Sequence, residues 1–287
     1  MVAVPFDWVV LTMGDRPAEL DQAVRSLLST EGVQVLVVAN GAPSAVVPAL
    51  AGVRSTVTAG NLGVPAGRHV GMLDTGSEIV GFLDDDATVC GDVTPVAAAF
   101  AADPRLGAVS LRIVDEDGTT NPRHVPRPGG VDPGVSGPVV HFLGGACAIR
   151  RQAYDEVGGY FGDLFYGHEE LELGWRLVDA GWGIRYLADV VVRHPRTEIS
   201  RHANGWRLTG RNRVWVARRT LPWPVAFVHV LVWLALGLVR APRECRSAYV
   251  RGWWSGWTTR WSSEVRRRPI RWSTVWRLTR LGRPPIV

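Results

Sequence analysis

The chain has 287 residues, 46% of them hydrophobic and 21% charged, which is enough to bury a substantial core as one or two domains. All 32 basic residues are Arg, so a P-loop, a Schiff-base enzyme and any Lys nucleophile are excluded. The net charge of +5 is unevenly placed: from Arg240 onward there are 12 Arg against 2 Glu, whereas residues 1–239 carry 20 Arg against 25 acids.

Met1 to Asp7 shows no basic n-region and no long apolar core, which predicts no signal peptide. Cys90, Cys147 and Cys245 are odd in number and far apart, which argues against a disulfide framework or a zinc site and for a reducing, cytoplasmic setting. Trp8 to Thr12 reads as a first buried strand, Pro17 to Leu28 as an amphipathic helix, and Val33 to Val38 as a second strand ending at Ala39-Asn40-Gly41. Strand, helix and strand with short connections predict a βαβ unit and a doubly wound sheet. A third strand near Arg54 to Thr58 leads through Asn61-Leu62-Gly63 into a helix that opens at Pro65 and runs to about Asp74.

The chain is organised around the next stretch, Ile79 to Leu83 followed by Asp84-Asp85-Asp86. The apolar run reads as a buried parallel strand, and three carboxylates at its C-terminal end sit where open α/β sheets bind ligands. Adjacent anions call for a cation among them, and a hard dication that bridges carboxylates to a diphosphate fits; a solvated acidic turn is the alternative. After a helix near Val93 to Ala102 and a strand near Gly107 to Ile113, the Pro/Gly-rich passage Asn121 to Pro138 is too long for a simple turn. In the apolar segment Val139 to Ile149, Gly144-Gly145-Ala146 would let a ligand approach the backbone, or form a plain turn.

Phe165 to Arg176 opens a helix that ends at Gly181, with Glu169 and Glu170 in its first turn. The helix dipole favours their ionised forms, as catalytic bases or as ordinary caps. Ile184 to Leu187 and Val190 to Arg193 read as two short strands ending at His194.

These ordered motifs resemble an inverting glycosyltransferase of the family 2 type with a GT-A fold, rhamnosyl- or galactofuranosyltransferase-like, over roughly residues 7–200. The resemblance implies a GT-A catalytic domain over 1–205, and the composition beyond it predicts a helical, membrane-associating Arg/Trp-rich extension over 206–287. It implies Mn2+ or Mg2+ held by Asp84, Asp86 and His194, and a nucleotide-sugar donor met by Thr12, Arg16, Asn40, Asn61, Arg68, Asp84 and Asp85. Glu170 is then the general base, and Gly144, Gly145, His168, Glu169 and Arg176 face the donor or acceptor sugar. Where the family usually reads Asp-Asn-Gly at the second-strand turn, this chain has Ala39, which leaves pyrimidine recognition to groups near Thr12, Arg16 and Arg68; the base is Glu where Asp is commoner. A scaffold protein with a decayed site is the competing reading, and a sugar nucleotidyltransferase would need a Gly-rich N-terminal loop with a catalytic Lys.

Leu221 to Val239 is nearly all apolar but is punctuated by Pro222, Pro224, His229 and Gly237, which favours a helix in a membrane interface or packed on the domain over a span. Beyond it Arg alternates with Trp253, Trp254, Trp257, Trp261, Trp272 and Trp276, a mixture that suits lipid headgroups. The expectation is a peripheral enzyme at the inner face of the cell membrane acting on a glycan or lipid-linked acceptor, with no nucleic-acid partner. A homodimer interface is the other use of the segment.

Overall fold

The computed structural model describes residues 6–126, 132–196, 204–263 and 265–286. The first elements are β1 (Phe6–Thr12), α1 (Pro17–Leu28), β2 (Val33–Asn40), β3 (Val53–Thr58), α2 (Val64–Asp74) and β4 (Ile79–Asp84). Pro17 and Pro65 occupy first helical turns, where the ring presets φ and no amide partner is lost. Then come β5 (Thr88–Cys90), α3 (Thr94–Ala102), β6 (Leu106–Val114), β7 (Gly137–Val139), β8 (Ala146–Arg150), α4 (Arg151–Val157), α5 (Glu169–Asp179) and β9 (Gly183–Arg193).

The two short strands expected before His194 are one, β9, which stays paired with β6 throughout. Its register jumps between Leu187 and Val191, so the intervening residues form a bulge, secured where the Ala188 amide donates to Ser136 Oγ at 2.8 Å. The passage Asn121 to Pro138 contributes a 3-10 turn at Pro122–His124 and the start of β7; its residues 127–131 lie outside the described residues.

Strand order is β3-β2-β1-β4-β8-β6-β9-β5, with β7 also on β9. β1 pairs in parallel with both β2 and β4, so the chain direction of travel reverses there and opens a crevice at their C-terminal ends. That crevice receives Thr12 and Asp84. β8 runs antiparallel between β4 and β6, which brings Gly144 and Gly145 to the same edge. Both sheet faces are buried. Trp8 and Val10 pack with α1 and α3, while Val9, Leu36 and Phe82 face the other helices. Gly81 is required opposite Trp8, since a Cβ there would overlap the indole.

The tail folds as α6 (Gly205–Thr220), α7 (Trp223–Arg240), α8 (Arg246–Thr258) and α9 (Trp272–Arg280). α6 and α8 approach closely because Gly210, Gly252 and Gly256 leave no side chain between them. The tail shares the core of the sheet: Phe161 stacks on Trp215 and meets Trp261 edge-on, and Arg219 pairs with the fully buried Glu172. α7 is long and apolar enough to cross a membrane, but it lays Val225, Ala226, His229 and Val230 against the protein and exposes Trp223, Phe227, Val228 and Leu231 on its other side.

Candidate active site

The Asp84 amide donates to Gly145 O at 3.1 Å and the Ala87 amide to Asp84 O at 3.0 Å, a tight turn that splays three consecutive carboxylates. Asp85 is buried and accepts from Thr12 Oγ1 at 2.6 Å, while Arg16 reaches it at 2.8 Å and also pairs with Asp86. Burial pushes Asp85 up to about 6, and its bonds to Thr12 and Arg16 oppose that rise. The positive charge expected among the acids is thus supplied partly by the protein itself.

Asp84, Asp86 and His194 each present one ligand atom, all within 4.8 Å of one another. His194 Nε2 lies 3.4 Å from Asp84 and 3.3 Å from Asp86, and Nδ1 is 2.7 Å from Pro195 O. That carbonyl can accept only from Nδ1–H, which leaves Nε2 facing the acids, protonated without an ion and able to offer its lone pair to a metal once that proton is lost. Burial alone would lower His194, but hydrogen bonding to Asp84 and Asp86 pushes it up to about 10. Two carboxylates with one imidazole form a donor set of mixed hardness that suits Mn2+ at least as well as Mg2+.

Arg68 joins this cluster to α5. Its guanidinium lies 2.9 Å from Asp84 Oδ1, 3.3 Å from Glu170 Oε1 and 3.5 Å from Glu169 Oε1. The Gly144 amide donates to the same Glu170 oxygen at 3.1 Å. Any Cβ at Gly144 would overlap Arg68 and Glu170, and one at Gly145 would overlap the Asp84 carboxylate. The glycine pair therefore makes room for the protein's own side chains, where the sequence suggested room for a ligand.

Four expected roles change. Glu169 is 2% exposed, and burial followed by repulsion from Glu170 pushes it up to about 8, so at neutral pH it is protonated despite the helix dipole. It touches Arg68 and lines neither of the two cavities described below. Arg68 is 4% exposed and braces carboxylates, so it is not placed to read a nucleotide base. Arg176 is buried away from the site, held by Glu172 at 2.5 Å and donating to Val157 O and Gly159 O. Asn40 spends its side chain on the 58–64 loop, donating to Asn61 Oδ1 and Gly63 O and accepting from the Leu62 amide, so it shapes the wall without reaching inward. Ala39 is fully buried.

Two cavities meet at Asp84 and His194. The first, about 580 Å³, holds Thr12, Arg16, Asn61 and the acids, together with Arg207 and Arg211 from α6. The second, about 360 Å³, is reached from Glu170 and His168 and extends to Trp175, Arg213, Trp233 and Arg283. The arginines of the tail were missed by sequence reasoning; the signal was Arg207 and Arg211 four apart on one helix face, with Arg213 on another. One residue of α6 also supports the site from behind: Asn212 Nδ2 donates to Leu164 O, Tyr166 O and Gly167 O at 2.8–3.0 Å, pinning the loop that enters α5. That loop needs support, because Phe165 and His168 both adopt positive φ.

A switch-point crevice in a mixed sheet, with an acidic turn closing β4 and a second acid-bearing helix facing it, defines the GT-A fold. The chain superposes on GalNAc-T7 solved with UDP, GalNAc and Mn2+ (TM-score 0.63, 14% identity, 87% of this chain and 54% of that one). It also superposes on the mannosyltransferase PcManGT from Pyrobaculum calidifontis solved with GDP-Man and Mn2+ (TM-score 0.58, 15% identity, 89% and 88%). Residues 8–158 match Glycosyl transferase family 2, and the chain belongs to that family.

Among curated relatives from Mycobacterium tuberculosis, the pre-mycofactocin glycosyltransferase is 28% identical over 167 residues, 55% of this chain. This chain spans only 33% of that protein's length. The N-acetylglucosaminyl-diphospho-decaprenol L-rhamnosyltransferase is 29% identical over 212 residues, 60% of this chain and 69% of the relative.

Proposed function

We propose that the protein transfers a sugar from a nucleotide-diphosphate donor to a hydroxyl of a glycan or lipid-linked acceptor, with inversion and with a dication at Asp84, Asp86 and His194. The observation that carries the reading is the convergence of those three ligands with Glu170, through Arg68, at the junction of two cavities. The first cavity would take the donor, with Asp85 and Arg16 toward its ribose or sugar and Arg207 toward its phosphates. A bound Mn2+ or Mg2+ would supply charge neutralisation to the departing diphosphate. Glu170, part-exposed at 21% and held by the Gly144 amide, would accept the proton of the acceptor hydroxyl. The new oxygen–carbon bond forms on one face of the anomeric carbon, and the old carbon–oxygen bond breaks on the other, its electron pair leaving with the diphosphate.

The exposed apolar side of α7, flanked by arginines, supports peripheral contact with an anionic membrane, as does the lipid-linked substrate in the rhamnosyltransferase relative's name. The test is Glu170→Gln, assayed by transfer of labelled sugar from a panel of nucleotide sugars to extractable lipid of a bacterial membrane preparation. Donor binding with Mn2+ should be unchanged while transfer falls by about 10²–10⁴. Undiminished transfer would overturn the assignment.

A further inference from the structure

Among the described residues, nothing neutralises the positive charge that the second cavity holds. Arg213 stacks 3.4 Å from the ring centre of Trp233 and lines the second cavity with Arg283, while the exposed Arg240, 5.3 Å from the same ring, lies outside that lining. Among the described residues none of these three guanidinium groups has a carboxylate partner, and Arg213 Nε is sealed from solvent without a hydrogen bond. The surrounding polar atoms are in the same state: His141 Nδ1, His168 Nε2 and Trp233 Nε1 are buried and unpartnered. Burial pushes Arg213 down to about 9, and Arg240 and Arg283 push in the same direction. Among the described residues the only acids on the cavity wall, Asp84 and Glu170, lie at the end next to the metal ligands and already share Arg68. Desolvated, mutually repelling guanidinium groups are costly unless an anion joins them, and their planar donor forks match phosphate oxygens.

We propose that this cavity takes the acceptor and that the acceptor carries a phosphate or diphosphate, received by Arg213 and Arg283. The inference rests on Glu170 acting as the base, because the same cavity reaches Glu170 at its other end. Trp233 belongs to α7, whose outward side exposes Phe227 and Leu231, so the phosphate belongs to a lipid carrier whose chain would leave along that helix.

The test is isothermal titration of the full-length chain in EDTA, so that no dication recruits the anion, with geranyl diphosphate, inorganic pyrophosphate and geraniol as probes. Geranyl diphosphate should bind best and pyrophosphate more weakly, and geraniol should not bind. Arg213→Gln should weaken both anions by on the order of tenfold or more, the effect of losing charged hydrogen bonds in a closed site. Arg25→Gln, exposed on α1 and outside both cavities, should leave them unchanged, and the loss should be larger in Arg213→Gln than in Arg207→Gln of the first cavity. Arg283→Gln, near the chain end, carries the same expectation as Arg213→Gln and serves if that variant fails to fold. Equal binding of pyrophosphate and geranyl diphosphate would keep the phosphate and overturn the lipid. Binding of geraniol as tight as its diphosphate, insensitivity to both Arg213→Gln and Arg283→Gln, or loss in Arg207→Gln instead would overturn the proposal. Transfer that survives Glu170→Gln would defeat the base assignment, an outcome separate from the anion titrations.

Discussion

Arg68→Gln tests whether one guanidinium holds the two halves of the site together. The native group is 4% exposed and lies within 3.5 Å of carboxylates from Asp84, Glu169 and Glu170. Removing one partner from a buried ion pair costs about 3–5 kcal/mol, because the remaining charges stay desolvated. The carboxyls can escape part of that cost by taking up protons, which makes the penalty depend on pH. Arg68 is one of the groups that hold Asp84 below the usual carboxylate range, and without it Asp84 rises; Glu169, pushed up to about 8, stays protonated up to that pH in parent and variant alike. A carboxyl depressed in the folded state stabilises fully above its unfolded value of about 3.9, and that contribution is lost as pH falls. The deficit should therefore be smaller near pH 4 and complete by pH 8, where about 2–4 °C per kcal/mol implies a fall in Tm of roughly 10 °C. Thermal melts of parent and variant in EDTA at both pH values measure it. A deficit independent of pH, or melts that coincide at pH 8, would refute the reasoning.

Mn2+ must displace a proton from His194, which sits at about 10 without the ion, so titrations in buffers of different ionisation enthalpy should show release of about one proton and an affinity that climbs with pH. Asp86→Asn should weaken Mn2+ by more than tenfold; equal affinity would remove Asp86 from the ligand set. Gly145→Ala drives a methyl into the Asp84 carboxylate and should lower Mn2+ affinity by on the order of tenfold with the fold intact by circular dichroism. Replacing Trp223 and Phe227, 54% and 61% exposed, with Glu should abolish sedimentation with anionic vesicles at low salt, whereas co-sedimentation of that double variant would remove α7 from the membrane contact.

The N-terminal half was legible because each element carries its own punctuation: Pro17 and Pro65 start helices, and the apolar runs between them are short enough for buried strands. The acidic turn was legible for the same local reason. β9 was misjudged because Ala188-Asp189 looks like a break, and only pairing with β6 shows that the strand bulges and continues. Arg176 was misplaced although its i,i+4 partner Glu172 was visible, since sequence does not say whether such a pair faces solvent or core. Glu169 and Glu170 read alike in sequence, and differential burial separates them. Arg68, Arg207 and Arg213 depend on contacts between segments far apart in the chain, and Arg is too abundant here for any one of them to stand out.

Asn212 carries a practical consequence. Its amide ties the carbonyls of Leu164, Tyr166 and Gly167, and it belongs to the helix that begins the basic tail. Trimming the chain at residue 205 to gain solubility would spare every acid of the cluster yet remove the splint that sets the angle at which α5 presents Glu170. Such a shortened protein would lose that splint together with the core that α6 shares with the sheet, and an inactive fragment of that kind says nothing against the chemistry of the whole chain.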